Sequence, residues 1–143
     1  MEIRNRKANY EYFILSQIEC GIELKGTEIK SLRNGSADIR DAFGIIKNEE
    51  IYVINMFIAK YAGGNQFNHE ERRTRRLLLH KNEIKRLKNE VMQDGVTLVP
   101  LAVYFKGNKA KLLLGLGKGK KNYDKRETIK KRDIERETRQ KIS

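Results

Sequence analysis

The chain has no tryptophan, one proline and one cysteine in its 143 residues. A lone cysteine, Cys20, excludes an internal disulfide and fits a reducing cytoplasm, the expected location. Two histidines, His69 and His80, complete the soft-donor inventory, and no CxxC or HxxxH spacing joins them. That is too few ligands for a structural zinc site, so no metal is expected and both histidines read as surface residues. No apolar run approaches eighteen residues, and the first twelve residues lack the apolar stretch of a signal peptide. No membrane partner is expected.

Catalytic patterns are missing as well. In the run Gly115 to Lys120 (GLGKGK), Lys120 stands where a phosphate-cradling P-loop needs its second glycine. The run reads instead as a flexible exit from a last strand. Acidic residues are scattered, and Glu19, Glu23 and Glu28 read as ordinary strand-edge and helix-start carboxylates. With no acid pair and no serine–histidine or cysteine–histidine arrangement, the chain is not expected to be an enzyme or to hold a cofactor.

What the chain does have is positive charge, a net of +12 with a pI near 9.9. Half of it lies in the last 26 residues, Lys118 to Ser143, where eleven Lys/Arg face five Asp/Glu. Tyr123 and three isoleucines are all that segment offers to a core. The chain therefore divides into a body, residues 1–117, and a basic tail, residues 118–143, that seeks a polyanion. On a helical wheel Lys121, Lys125, Arg132, Arg136 and Arg139 fall within about 60°. Acid-before-base pairs such as Glu127–Lys131 add roughly 0.2–0.5 kcal/mol each. No apolar stripe accompanies the basic one, so the tail is expected to be disordered alone and helical where phosphates neutralise it. A second basic run, Asn65 to Arg76, crowds Arg72, Arg73, Arg75 and Arg76 into a polar loop before Leu77. Its guanidinium groups are expected to fork onto RNA phosphates, with Tyr61 or Phe67 stacking on a base.

The body reads as α+β, mainly β. Tyr10 to Ile22 forms a first strand, Thr27 caps a short helix stopped by Gly35, and Asp38–Lys47 and Ile51–Lys60 flank an Asn48-Glu49-Glu50 turn. The apolar run from Ile51 to Ile58 belongs inside a sheet. Asn82 caps a second helix carrying Ile84, Leu87 and Val91, with Gly95 as terminator. Thr97–Lys106 and Lys109–Lys118 make a hairpin, and Pro100 puts an edge or a bulge in its first strand. Five or six strands with two or three short helices favour a small, partly open β-barrel of the oligonucleotide-binding type. An open α+β sandwich is the alternative.

These stretches also carry a family resemblance. Asn5-Arg6-Lys7-Ala8, GTEIKSLRNG from Gly26 to Gly35, TRRLLLH from Thr74 to His80, Thr97 to Leu101 and GKGKKNYDKR from Gly117 to Arg126 closely resemble the small protein B (SmpB, SsrA-binding) family. The resemblance spans nearly the whole chain. It implies a barrel that grips the tRNA-like domain of tmRNA during bacterial trans-translation, with contacts mapping onto Glu19, Leu78 and Lys111, and Asn5 and Lys7 nearby. Arg75 and Arg76 join them from the arginine run. The tail, through Gly119, Lys120, Lys121, Tyr123, Asp124, Lys125 and Arg126, would fold against ribosomal RNA in the vacant mRNA channel of a stalled ribosome. The basic stripe residues Arg132, Arg136 and Arg139 would follow it there. Through tmRNA the elongation factor that delivers aminoacyl-tRNA becomes a further partner, and a monomer is expected. Phe57 to Tyr61 departs from the family pattern, with Phe57 in place of a histidine and Lys60 in place of a proline. The rival readings are a barrel protein bound permanently to ribosomal RNA and an RNA-processing enzyme.

Overall fold

A computed structural model describes residues 1–63, 68–93 and 95–120. Among the described residues nine strands and three helices follow in the order β1 (Glu2–Arg4), α1 (Ala8–Glu11), β2 (Tyr12–Ile22), α2 (Gly26–Arg33), β3 (Ala37–Asp38), β4 (Phe43–Lys47), β5 (Glu50–Ile54), β6 (Phe57–Ile58), β7 (Arg75–Leu78), α3 (Lys81–Val91), β8 (Val96–Lys106) and β9 (Lys109–Gly119). Six strands pair in the ring β8–β4–β5–β7–β2–β9 and back to β8, every neighbour antiparallel. The sheet thus closes into a barrel of the expected oligonucleotide-binding kind, and closure removes the free edges of an open sandwich. β1 lies outside the ring, paired with β8, and β3 and β6 form a separate two-stranded ribbon.

The seam of the ring is narrow. β4 meets β8 through one pair, Gly44 with Leu98, where a Cβ on Gly44 would stand 2.8 Å from the Leu98 Cβ. Only glycine lets the two backbones approach so closely. Closure also needs strong bending, and the long strands supply it with bulges at Ile14/Ser16 and at Pro100/Ala102. Pro100 therefore marks a bulge, the second of the two options its missing N–H allowed.

The interior is one cluster, joining Leu112, Leu114 and Leu116 of β9 to Leu32 of α2 and to Ile84 and Leu87 of α3. The helices start differently from expectation. Lys25 is the N-cap of α2, and its amide donates to Glu28 Oε1 at 2.7 Å; likewise His80, not Asn82, precedes α3, and its amide donates to Glu83 Oε1 at 2.9 Å. In both, a carboxylate reaching back from the first turn outcompetes the nearby Thr or Asn. The expected Asp38–Lys47 strand is split into β3 and β4, and the Ile51–Lys60 strand breaks at Asn55, whose φ of +61 turns the chain between β5 and β6. Gly115 to Gly119 is not a flexible exit but the end of β9, paired with β2 as far as Gly119 opposite Tyr12.

Candidate nucleic-acid interface

Strand alternation decides which charges face outward. On β9, Leu112 and Leu114 point into the barrel, so Lys111 points out. The register sets Lys111 opposite Gly21 of β2 on one side and Tyr104 of β8 on the other. Gly21 in turn faces Leu78 of β7, and Tyr104 faces Glu2 of β1. One outward row thus crosses five strands in the order Leu78, Gly21, Lys111, Tyr104, Glu2. Glu19, two residues before Gly21 on the same face, stands beside this row.

Gly21 makes the row concave. A Cβ there would lie 3.2 Å from the Leu78 Cβ, so any larger residue fills the space beside Leu78. Two clefts, of about 380 and 370 Å3, share Gly21, Leu78 and Lys111 in their walls. The first continues along Ile29, Asn108 and Lys109, the second along Glu19, His80 and Glu83. Leu78 is 43% exposed, an apolar side chain presented to solvent.

Glu19 is held from β8. The Tyr104 hydroxyl donates to Glu19 Oε2 at 2.6 Å, and Lys106 Nζ approaches Glu19 Oε1 at 3.3 Å. The Tyr104 hydrogen bond, opposed by partial burial and helped by Lys106 and Lys111, keeps the Glu19 carboxyl below the usual carboxylate range. Burial, and then Glu19 itself, pushes the Tyr104 phenol up to about 12. At neutral pH the pair is a fixed, ionised carboxylate beside a neutral hydroxyl.

Several expected contacts lie elsewhere. Arg75 is wholly buried, because β7 alternation puts it on the inward face with Leu77. Its Nε donates to Glu28 Oε2 at 2.7 Å, Nη1 to the Met56 carbonyl at 2.7 Å and Nη2 to the Glu71 carbonyl at 3.2 Å. Arg73 completes the cluster with Nη2 on Glu28 Oε1 at 2.7 Å and Nε on Oε2 at 3.1 Å. Glu28 is therefore no ordinary surface carboxylate. Burial opposes its ionisation, but hydrogen bonds from Arg73, the Lys25 amide and Arg75 outweigh that and hold it at about 2. Arg72 is also engaged, with Nη1 3.1 Å from Asn55 Oδ1 and its guanidinium over the Phe57 ring. Arg72 nonetheless stays exposed, and on β7 Arg76 points outward, loosely paired with Glu23 and Glu50 at 3.6 and 3.4 Å.

His69, expected at the surface, is 1% exposed. Its Nε2 faces the Ile58 carbonyl at 2.9 Å, and its Nδ1 stands 2.8 Å from the Thr27 hydroxyl. A nitrogen facing a carbonyl must carry the hydrogen, which leaves Nδ1 of the neutral ring to accept from Thr27. Asn5 is 5% exposed, its amide nitrogen donating to the Pro100 and Ile39 carbonyls, so it pins the chain just after β1 to the barrel. Lys7 precedes α1, away from the strand row, between Glu11 and Asp41, each at 3.7 Å. Tyr61 lies beneath Lys30 Nζ.

At the other end of β9, Lys120 Nζ donates to the Asn9 carbonyl at 2.7 Å and sits over the Phe13 ring. Phe67 and the tail positions Lys121, Tyr123, Asp124, Lys125, Arg126, Arg132, Arg136 and Arg139 lie outside the described residues. Among the described residues no three His, Cys, Asp or Glu side chains converge to hold a metal ion, and no helix is long and apolar enough to cross a membrane.

The model of the SmpB protein family matches residues 2–143. This chain belongs to the SmpB family. Among its relatives, the SsrA-binding protein of Carboxydothermus hydrogenoformans is 56% identical over 133 residues, covering 93% of this chain and 89% of the relative. The SsrA-binding protein of Enterococcus faecalis is 50% identical, with 94% and 87% covered. A solved chain described as "tmRNA-SmpB: a journey to the center of the bacterial ribosome" superposes with a TM-score of 0.72 at 46% identity, covering 90% of this chain and 94% of that one. Family membership gives the outward row its context, since the same strands that build the SmpB barrel carry Leu78, Gly21, Glu19 and Lys111.

Proposed function

We propose that the barrel binds the tRNA-like part of tmRNA through Leu78, Gly21 and Lys111 of the outward row with Glu19 beside them, and that the basic tail engages the ribosome in trans-translation. The observation that carries this reading is the mixture of groups on the row. Lysines alone would bind any polyanion, whereas an exposed leucine beside a glycine floor takes an unstacked base or a ribose face. Glu19 narrows the choice further. An ionised carboxylate repels phosphate and accepts only N–H or O–H donors, such as the amino edge of guanine, cytosine or adenine or a 2′-hydroxyl. Lys106, Lys109 and Lys111 supply phosphate contacts and therefore affinity, while Leu78 and Glu19 supply selectivity.

The protein is a non-catalytic adaptor in this reading, working in the cytoplasm as a monomer. Its partners are tmRNA, the ribosome with its RNA and, through tmRNA, the elongation factor that delivers aminoacyl-tRNA. The body and the tail carry separate halves of the net charge, so the two activities are separable. Because β9 pairs with β2 as far as Gly119, the cut that spares the barrel falls after Lys120. That shortened chain is expected to bind the tRNA-like RNA within about threefold of the full chain and to lose tagging of stalled peptides. Equal loss of RNA affinity and tagging would contradict a two-part protein.

A further inference from the structure

Tyr104 belongs to none of the positions that the family resemblance marks, yet its hydroxyl makes the shortest hydrogen bond in the outward row, 2.6 Å to Glu19. The two residues are 85 apart in sequence, and only the pairing of β9 with both β2 and β8 brings them together. Resting on the RNA-binding face proposed above, we propose that Tyr104 is a positioning residue that locks the Glu19 carboxylate into one orientation as an acceptor for a nucleobase N–H donor of the RNA.

The chemistry of the carboxylate supports this. Its two oxygens offer about four lone-pair sites, of which Tyr104 takes one and Lys106 reaches another. The rest are left unused, and Glu19 lines the cleft it shares with Leu78, His80 and Lys111. A glutamate has three rotatable bonds, and a half-exposed one wanders unless something fixes it. Lys106 fixes it weakly, being itself exposed and 3.3 Å away. The phenol does it better, because its ring is rigid and part-buried and its O–H points at one oxygen only. A carboxylate held in this way lends RNA selectivity without the ordering cost of a free side chain.

Tyr104 is not itself placed against the RNA, so its effect must vanish when Glu19 is gone. The test measures dissociation constants for a transcribed tRNA-like portion of tmRNA with the full chain, Tyr104→Phe, Glu19→Gln and the double variant. Far-ultraviolet circular dichroism confirms that each is folded. Tyr104→Phe is expected to weaken binding about fivefold, and less than twofold in the Glu19→Gln background. A second measurement follows binding from pH 7 down to about 4. Loss of the Tyr104 hydrogen bond lets the Glu19 carboxyl rise toward its ordinary value, so the acid limb of Tyr104→Phe moves to higher pH. Lys106, Lys111, His80, Glu83 and Glu2 also face this region, and subtracting the Glu19→Gln profile removes their contribution. Binding by Tyr104→Phe equal to wild type, or an equal loss with and without Glu19, overturns the positioning role while leaving the RNA face in place. A Glu19→Gln protein that binds as well as wild type overturns the RNA face itself and the positioning role with it.

Discussion

Glu28 and Glu19 both have cationic and hydrogen-bonding partners, and they differ in what is left over. Glu28 is fully buried, and Arg73, Arg75 and the Lys25 amide cover both its oxygens. Glu19 is about one-third exposed at its side chain, held by Tyr104 and Lys106, with accepting capacity left unused beside a cleft. The first cluster is closed and ties α2, β7 and the segment between β6 and β7 into one piece. The second is open and has something to offer a ligand. Charge count alone does not distinguish them; burial and spare hydrogen-bonding capacity do.

The largest effect is expected where the closed cluster is broken. Glu28→Ala leaves the Arg75 guanidinium buried without its counter-charge and should cost about 3–5 kcal/mol in urea unfolding. RNA affinity of the fraction that remains folded should be unchanged. The same cluster sets an acid limit. Because the folded-state pKa of Glu28, about 2, lies below its unfolded value, its contribution is fully present above about pH 4.3 and is lost as pH falls toward 2. A Glu28→Gln protein should show less of this loss between pH 5 and 2, followed by tyrosine fluorescence. Melting behaviour with the same acid dependence as wild type would place the acid sensitivity elsewhere.

The open cluster should respond in the opposite manner, losing binding without losing stability. Gly21→Val puts methyl groups against Leu78 and fills the floor of the row. RNA binding should fall by about tenfold or more, read by filter binding at fixed salt. Arg76→Gln is a gentler probe, since Arg76 is the outward neighbour of the inward Arg75. It should weaken RNA about twofold, lower the salt slope by roughly one and leave unfolding within 0.5 kcal/mol, its ion pairs with Glu23 and Glu50 being exposed. A Gly21→Val protein that binds normally would remove the concave row from the site and with it the contrast between the clusters.

Much of this was legible in the residues. The hairpin across Gly107-Asn108, the disturbance at Pro100 and the apolar face of α3 all follow from periodicity and from what proline and glycine permit, whereas five or six strands were expected and the short β1 and β7 were not. Closure of the barrel was not legible, because it depends on a single close pair, Gly44 with Leu98, with no local pattern to announce it. The arginine run shows where local reading misleads. Read as a loop, Asn65 to Arg76 presents four cations; read as a strand from Arg75, it alternates Arg75 and Leu77 inward with Arg76 and Leu78 outward. The alternation was visible, but the acid that compensates Arg75 lies 47 residues away on α2. His69 was missed for the same reason, since Thr27 and the Ile58 carbonyl reach it only in the fold. Tyr104 likewise needs three strands in register before it meets Glu19.

The most direct measurement of the contrast between closed and open clusters is the affinity of the Glu19→Gln protein for tRNA-like RNA, taken with its melting temperature. Removing an acid from a chain of net charge +12 should tighten RNA binding if the face acts only by charge. A base-reading carboxylate predicts the reverse: binding about tenfold weaker at an unchanged melting temperature. Tighter or equal binding, or a loss that tracks a fall in melting temperature, would contradict the account.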